Sequence, residues 1–206
     1  MGLYIIGSPK GGAAVDTNTD HNLIIRCREG DEEACRLLLS AYEAYVYRLC
    51  FRITGSREDA LDLTQEAFVK VLTGLDRFQL GRPFKPWLRQ VTVNTCLNYL
   101  RRRAPETVSL EQPVAEGMVL GDTLAGSTDD PVAAAEWRDA REVIQQAVNR
   151  LPPQQRLVLV MRHREGLSYE EIAATTDLPL GTVKTYLFRA RQQLRRKLEN
   201  VYGWEG

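Results

Sequence analysis

Between Thr182 and Arg191 the chain carries Thr182, Lys184, Thr185, Tyr186, Phe188, Arg189 and Arg191. These side chains suit recognition rather than bond making. Arg and Lys donate to guanine O6 and N7, Thr bonds either way, and an aromatic edge packs on a thymine methyl. Six basic residues and no acid fall between Lys184 and Lys197. A basic face alone is more often just solvated, so the neighbouring sequence decides the reading. Ser168-Tyr169-Glu170-Glu171 is a capping box, which opens a short helix with Ile172 and Ala173 inward. Thr176-Asp177-Leu178 supplies a turn, and Pro179 starts a second helix with Val183, Leu187, Ala190 and Leu194 as its buried stripe. Two helices joined this way form a helix-turn-helix, whose second helix enters a major groove. Backbone N–H groups near Gly181 and Thr182 would face phosphate there.

A second constellation lies between Phe78 and Tyr99. Phe78, Phe84, Trp87 and Tyr99 are interleaved with Arg77, Arg82, Lys85, Arg89, Asn94 and Asn98. Aromatics beside cations and amides suit single-stranded nucleic acid, where bases stack and phosphates need counter-charge. An aromatic core with a polar rim explains the same pattern equally well. Asp62, Gln65 and Glu66 fall opposite the apolar stripe of their own helix, and a solvated acidic face is the plainer account of them. His21 and His163 have no companion Ser, Cys or paired carboxylates, so no catalytic or metal-binding set is expected and no cofactor is implied.

These groups need helices to hold them. Leu23, Ile24 and Cys27 share a face, and Ala34, Leu37, Leu38, Ala41, Tyr45, Leu49 and Ile53 recur at spacings of three and four. Gly55 breaks that run, and Ser56 with Asp59 reads as an N-cap with an acid in the first turn. Ala60, Leu63, Ala67, Val71 and Leu75 line the next helix. Pro86 suits the first turn of a helix carrying Trp87, Leu88, Val91, Leu97 and Leu100, which ends in Arg101-Arg102-Arg103. Ala135, Val143, Ile144, Ala147 and Leu151 form a further face, stopped by Pro152-Pro153. Leu157, Val158, Val160 and Met161 follow, with Gly166 as the stop. No strand pattern competes. The expectation is an all-α protein with a tail over 1–19, a helical domain over 20–103, a flexible linker over 104–131 and a second helical domain over 132–206.

Lys plus Arg and Asp plus Glu both number 27. Global charge therefore says nothing about nucleic acid, but its distribution does. Ala104 to Trp137 holds seven acids and no base, so the linker is acidic while the last helix is basic. Cys27, Cys35, Cys50 and Cys96 show no zinc spacing and are expected to be buried, reduced thiols, which suits a cytoplasmic protein. No apolar run is long enough for a membrane span, so no membrane contact is expected.

Three segments together resemble the sigma-70 family, in its small extracytoplasmic-function (ECF) group. Asp62-Leu63-Thr64-Gln65-Glu66-Ala67-Phe68 is similar to the helix that grips core RNA polymerase. Trp87-Leu88-Arg89 with Val93-Asn94-Thr95 and Asn98-Tyr99-Leu100 resembles the segment that opens and reads the −10 element. Gly166 to Ala173 with Leu180 to Thr185 resembles the −35 reader. The resemblance runs in the family's order from Asp20 to about Tyr202. It implies region 2 and region 4 domains and a non-catalytic initiation factor. Its partners would be core polymerase (β′ clamp and β flap), promoter DNA (duplex at −35, single-stranded at −10) and an anti-sigma factor. It places Asp62, Gln65, Glu66 and Phe68 on polymerase. Trp87, Arg89, Asn94, Thr95, Asn98 and Arg101 would meet −10 DNA, and Thr182, Lys184, Thr185, Phe188 and Arg189 would meet −35 DNA. Pro83, Lys85 and Pro86 depart from the family pattern. The competing reading is a two-domain helix-turn-helix regulator that acts without polymerase.

Overall fold

The computed structural model describes residues 17–103 and 143–202. The acidic linker, most of the N-terminal tail and Ala135 lie outside them. Among the described residues every regular element is helical.

The first half has four helices: α1 (Thr17–Arg28), α2 (Glu32–Thr54), α3 (Arg57–Gly74) and α4 (Phe84–Arg103), with a 3₁₀ turn at Leu75–Arg77. Helix α1 thus begins three residues inside the expected tail. The expected cap forms: Asp59 N–H donates to Ser56 Oγ at 3.3 Å. Asp31 caps α2 as well, accepting from Ala34 N–H at 3.0 Å. Gly55 ends α2 in the left-handed region at φ 74°, which side chains disfavour. Ala60, Leu63, Ala67, Val71 and Leu75 are all buried, as their spacing predicts. Leu37 is not: it is 42% exposed, because the core side of α2 runs through Ala34, Leu38, Tyr42 and Val46 instead.

The second half begins with helical residues 143–149. Then come α5 (Pro153–His163), α6 (Tyr169–Thr176) and α7 (Leu180–Tyr202). Pro153 takes the first helical position, where its missing N–H costs nothing. Helix α5 is the unusual element. Seven consecutive residues, Gln155 to Met161, are buried. A helix covered on all sides sits between layers rather than on one. Leu157, Val158, Leu159, Val160 and Met161 supply apolar atoms to both sides, so one core runs through both halves.

The polar part of that junction is Arg156. Its guanidinium is buried and donates to three carbonyls. Nε reaches Ile53 O at 2.7 Å, Nη2 reaches Thr54 O at 2.7 Å and Nη1 reaches Asn149 O at 2.9 Å. Ile53 and Thr54 end α2, where helix carbonyls lack partners and the helix dipole is negative. Burial lowers the Arg156 pKa. Three charge-assisted bonds offset that desolvation. A second junction joins Tyr45, whose hydroxyl donates to Glu165 Oε2 at 2.8 Å, and Arg89, which lies 3.9 Å from the same carboxylate.

The cysteines depart from expectation. All four lie in the first half and they pair in space. Cys27 and Cys35 are half-buried and disulfide-bonded, with Cα atoms 4.9 Å apart. Only Cys50 and Cys96 are buried free thiols, with Sγ atoms 3.7 Å apart. Sequence spacing missed this because the turn at Glu29–Asp31 folds α1 back on α2.

Arg156→Met is expected to lower unfolding free energy by about 2–4 kcal/mol in urea titration, since it strands the α2 carbonyls. Arg156→Lys should recover little, because an ammonium lacks the planar fork. Loss of less than about 1 kcal/mol would show the contact to be energetically idle.

Candidate nucleic-acid interface

Helix α3 carries two faces. Its buried stripe holds it on α2 and α4. Asp62 and Gln65 are exposed, and half-buried Glu66 pairs with Lys70 at 2.6 Å and Arg102 at 3.7 Å. Leu61, Val69 and Leu72 are 55%, 60% and 39% exposed. Leu61, Gln65, Val69 and Leu72 recur at helical spacing, so apolar and polar groups share this surface. Sequence reading named its acids and missed its aliphatics, whose sign was apolar residues falling off the buried stripe. Phe68 is half-buried and packs against the core.

On α4 the structure sorts the sequence candidates into three sets. Asn94, Asn98 and Arg101 are exposed at spacings of four and three, so they form one polar stripe. Thr95 belongs elsewhere. It is fully buried, donates to Val91 O at 2.8 Å and accepts from Lys70 Nζ at 3.3 Å. It cannot reach DNA from there and acts as internal packing. Arg89 faces the second half, where Glu165 meets it.

The aromatic segment resolves toward the core reading. Phe78 and Phe84 are 4% and 2% exposed and meet edge to face at 5.6 Å. Trp87 is half-buried on their outer side, with ring centroids 5.4 and 5.7 Å away. A Cβ added at Gly74 would lie in ordinary contact, 3.5 Å from the Trp87 ring, so the indole rests against the end of α3. Trp87 is therefore a rigid, half-open platform, whereas Phe78 and Phe84 are its foundation.

The helix-turn-helix forms as the sequence predicts. Glu171 N–H donates to Ser168 Oγ at 3.1 Å, and Ser168 N–H donates back to Glu171 Oε2 at 2.7 Å. Asp177 makes the turn at φ 54°, a region that Asp tolerates. Val183, Leu187 and Ala190 are buried and hold α7 on α5 and α6. Pro179 O accepts from Thr182 and Val183 N–H, so Pro179 precedes the helix rather than opening it. Lys184 is exposed, and Thr182, Thr185, Phe188 and Arg189 are half-buried on the same two turns. Tyr186 and Arg191 leave the expected outward set. Tyr186 packs on the core and donates to Gln154 Oε1 at 2.6 Å, while Arg191 Nη1 donates to Tyr169 OH at 3.3 Å. Among the described residues no three His, Cys, Asp or Glu gather as a metal site would require, and no helix is long and apolar enough to cross a membrane.

An all-helical chain with a capped helix-turn-helix in one half, and an exposed amide and arginine stripe beside an indole in the other, has the makings of a DNA-binding transcription protein. Comparison with known proteins defines it further. Residues 38–106 match the family described as Sigma-70 region 2, and residues 141–194 match Sigma-70, region 4. The chain is 35% identical to the ECF RNA polymerase sigma-E factor of Escherichia coli (strain K12), over 88% of this chain and 95% of that one. It is 30% identical to the ECF RNA polymerase sigma factor SigW of Bacillus subtilis (strain 168), over 86% and 96%. A solved sigma factor RpoE from Bartonella quintana, in complex with the anti-sigma factor NepR, shares the fold. Its TM-score is 0.53 at 24% identity, covering 80% of this chain and 96% of that one. The chain belongs to the ECF family of RNA polymerase sigma factors. That family is made of initiation factors rather than enzymes, and a regulator acting without polymerase is not favoured.

Ser168→Ala should cost about 1 kcal/mol of stability near neutral pH. The Glu171 half of the box adds a pH signature. The bond from Ser168 N–H holds the Glu171 carboxyl below its ordinary range. A carboxyl depressed on folding stabilises above its unfolded pKa and loses that contribution as pH falls through the folded one. Urea titrations of the wild type and Glu171→Gln should therefore differ at pH 7 and converge in acid. A gap that persists below both carboxyl pKa values would refute this role.

Proposed function

We propose that this sigma factor holds its promoter at two separate points while docked on core polymerase through α3. Asp62, Gln65 and Glu66, with Leu61, Val69 and Leu72 around them, form the docking face for the β′ clamp, and Phe68 anchors that face from beneath. Asn94, Asn98 and Arg101 meet the opened −10 strand, with Trp87 at its upstream edge. Unstacking a base costs a few kcal/mol, so strand opening depends on what the stripe returns in stacking and hydrogen bonds. Thr182, Lys184, Thr185, Phe188 and Arg189 read the −35 duplex. The β flap holds the second half there. The observation that carries the reading is the placement of the two polar faces, one on each half of a chain whose halves match regions 2 and 4.

The junction at Arg156 and Glu165 has a consequence for this function. Elements named for positions −35 and −10 are separated by roughly 85 Å of duplex at about 3.4 Å per base pair. A packed body of roughly 150 residues has a radius of gyration of about 15 Å and so spans about 40 Å. One closed body cannot meet both elements. The halves therefore part on polymerase, Glu165 releases Arg89, and Arg89 becomes available to −10 DNA. An anti-sigma factor, of the kind bound to the Bartonella quintana relative, would act by holding the chain off polymerase. The site of action is the cytoplasm, where core polymerase and the promoter are.

Transcription from a genomic promoter library, with purified core polymerase and this chain, tests the reading. Initiation is expected at a subset that shares spaced −35 and −10 elements, and no stimulation of any promoter would refute it. Asp62→Arg should abolish core binding and leave −35 duplex binding unchanged. Arg189→Ala should cost about 1–3 kcal/mol at particular −35 base pairs. A uniform loss over all sequences would assign Arg189 to phosphate instead.

A further inference from the structure

The disulfide between α1 and α2 has no part in the docking or reading faces, yet it is joined to one of them through a short line of contacts. The bend between the helices is set without sulfur. Gly30 takes φ 89°, and Asp31 caps α2 while accepting from Arg26 Nε at 2.9 Å and Nη2 at 2.6 Å. Asp31 N–H donates to Arg26 O at 3.0 Å, and Gly30 N–H to Cys27 O at 3.1 Å. These bonds bring Cys27 and Cys35 together whether or not they are joined. Preorganisation of that kind raises the effective concentration of one thiol at the other. Both side chains are half-buried, so a small thiol or disulfide can reach them.

The next residue, Arg28, leads to the −10 platform. Its Nε and Nη2 donate to Leu75 O at 3.1 and 2.7 Å, and Nη2 also donates to Phe78 O. Leu75 and Phe78 bracket the 3₁₀ turn, and the Phe78 ring supports Trp87. At the other end of α1, the Tyr42 hydroxyl donates to Asp20 Oδ2 at 2.6 Å. Helix α1 is thus the brace of the loop that carries Phe78, and the bond ties that brace to α2. The second pair of cysteines serves as an internal contrast. Cys50 and Cys96 are fully buried between α2 and α4, and contact with Cys50 together with burial raises the Cys96 thiol pKa. Full burial keeps small thiols and disulfides away from that pair.

We propose that Cys27 and Cys35 are a reversible thiol–disulfide couple whose state sets how firmly α1 braces the Trp87 platform, making promoter opening responsive to the thiol poise of the cell. The exchange partner is a low-molecular-weight disulfide of the glutathione type. One cysteine thiolate attacks that disulfide, forming a mixed disulfide and expelling one small thiolate. The second cysteine thiolate then attacks the protein sulfur of the mixed disulfide, closing Cys27–Cys35 and expelling the other. Two electrons pass from the protein dithiol to the small disulfide, and the two protons end on the released thiols. Reduction is the reverse. The consequence for opening rests on the −10 role proposed for Trp87, whereas the chemistry of the couple does not.

Two measurements on the full chain separate those claims. The protein is equilibrated in buffers ranging from reduced glutathione alone to oxidised glutathione alone, quenched by alkylation and mapped by mass spectrometry. Cys27 and Cys35 should interconvert at an intermediate ratio, while Cys50 and Cys96 stay reduced throughout and alkylate only after unfolding. A Cys27–Cys35 bond that survives reduced glutathione alone, or never forms in oxidised glutathione alone, overturns the couple. Open-complex formation with core polymerase is then compared for the oxidised and reduced protein. The oxidised form should open promoters several-fold faster, and Cys27→Ser/Cys35→Ser should match the reduced form in both buffers. Equal rates in both states overturn the coupling to opening. Failure of both states to initiate at any promoter removes the functional reading and the coupling together, while the thiol titration still decides the couple.

Discussion

A buried guanidinium on three carbonyls is the contact around which the two halves are organised. Among the described residues no carboxylate pairs with Arg156, and its charge is met by the end of α2 and by Asn149. A buried charge left without partners would cost several kcal/mol, so the site has to be complete or not form at all. Completeness demands that α2 end where it does. A Cβ at Gly55 would lie 2.7 Å from Arg156 Nη1, so the residue that terminates the helix also makes room for the arginine. Helix termination, domain packing and charge burial are therefore one constraint.

That constraint explains why α5 is apolar on every side. A helix that packs on one half alone needs one stripe, but α5 is covered by both and buries seven residues in succession. The same closure places Glu165 against Tyr45 and Arg89, so a cation of the −10 candidates is neutralised by a residue of the other half. The closed body is held by apolar area and by two compact polar contacts. The polar contacts give the junction a defined register, and the apolar area gives it adhesion. In the proposed two-point grip, parting this junction would draw on the free energy of polymerase docking.

Rigidity is distributed to match. Trp87 is supported by Phe78 and Phe84, and Phe78 is held in turn by Arg28 of α1. The −35 helix is held by Val183, Leu187 and Ala190 beneath it and by Tyr186 and Arg191 at its flanks. Both reading surfaces stand on packed cores.

Much of this was legible in the residues. Period, caps and breakers marked most of the described helices, because Ser56, Gly55 and the Ser168–Glu171 box act through bonds within a few residues of themselves. The helix-turn-helix was legible for the same reason. What only tertiary structure decided were partnerships across long separations. Thr95 looked like a polar contact and is buried under Lys70. Tyr186 and Arg191 looked outward and turn back onto Gln154 and Tyr169. Cys27 and Cys35 looked like unrelated thiols until a turn brought them together. Arg156 carried no signal in the sequence and is the centre of the junction. In each case the sequence states what a side chain can do, while the neighbour that lets it act lies on another helix, and only packing brings that helix near.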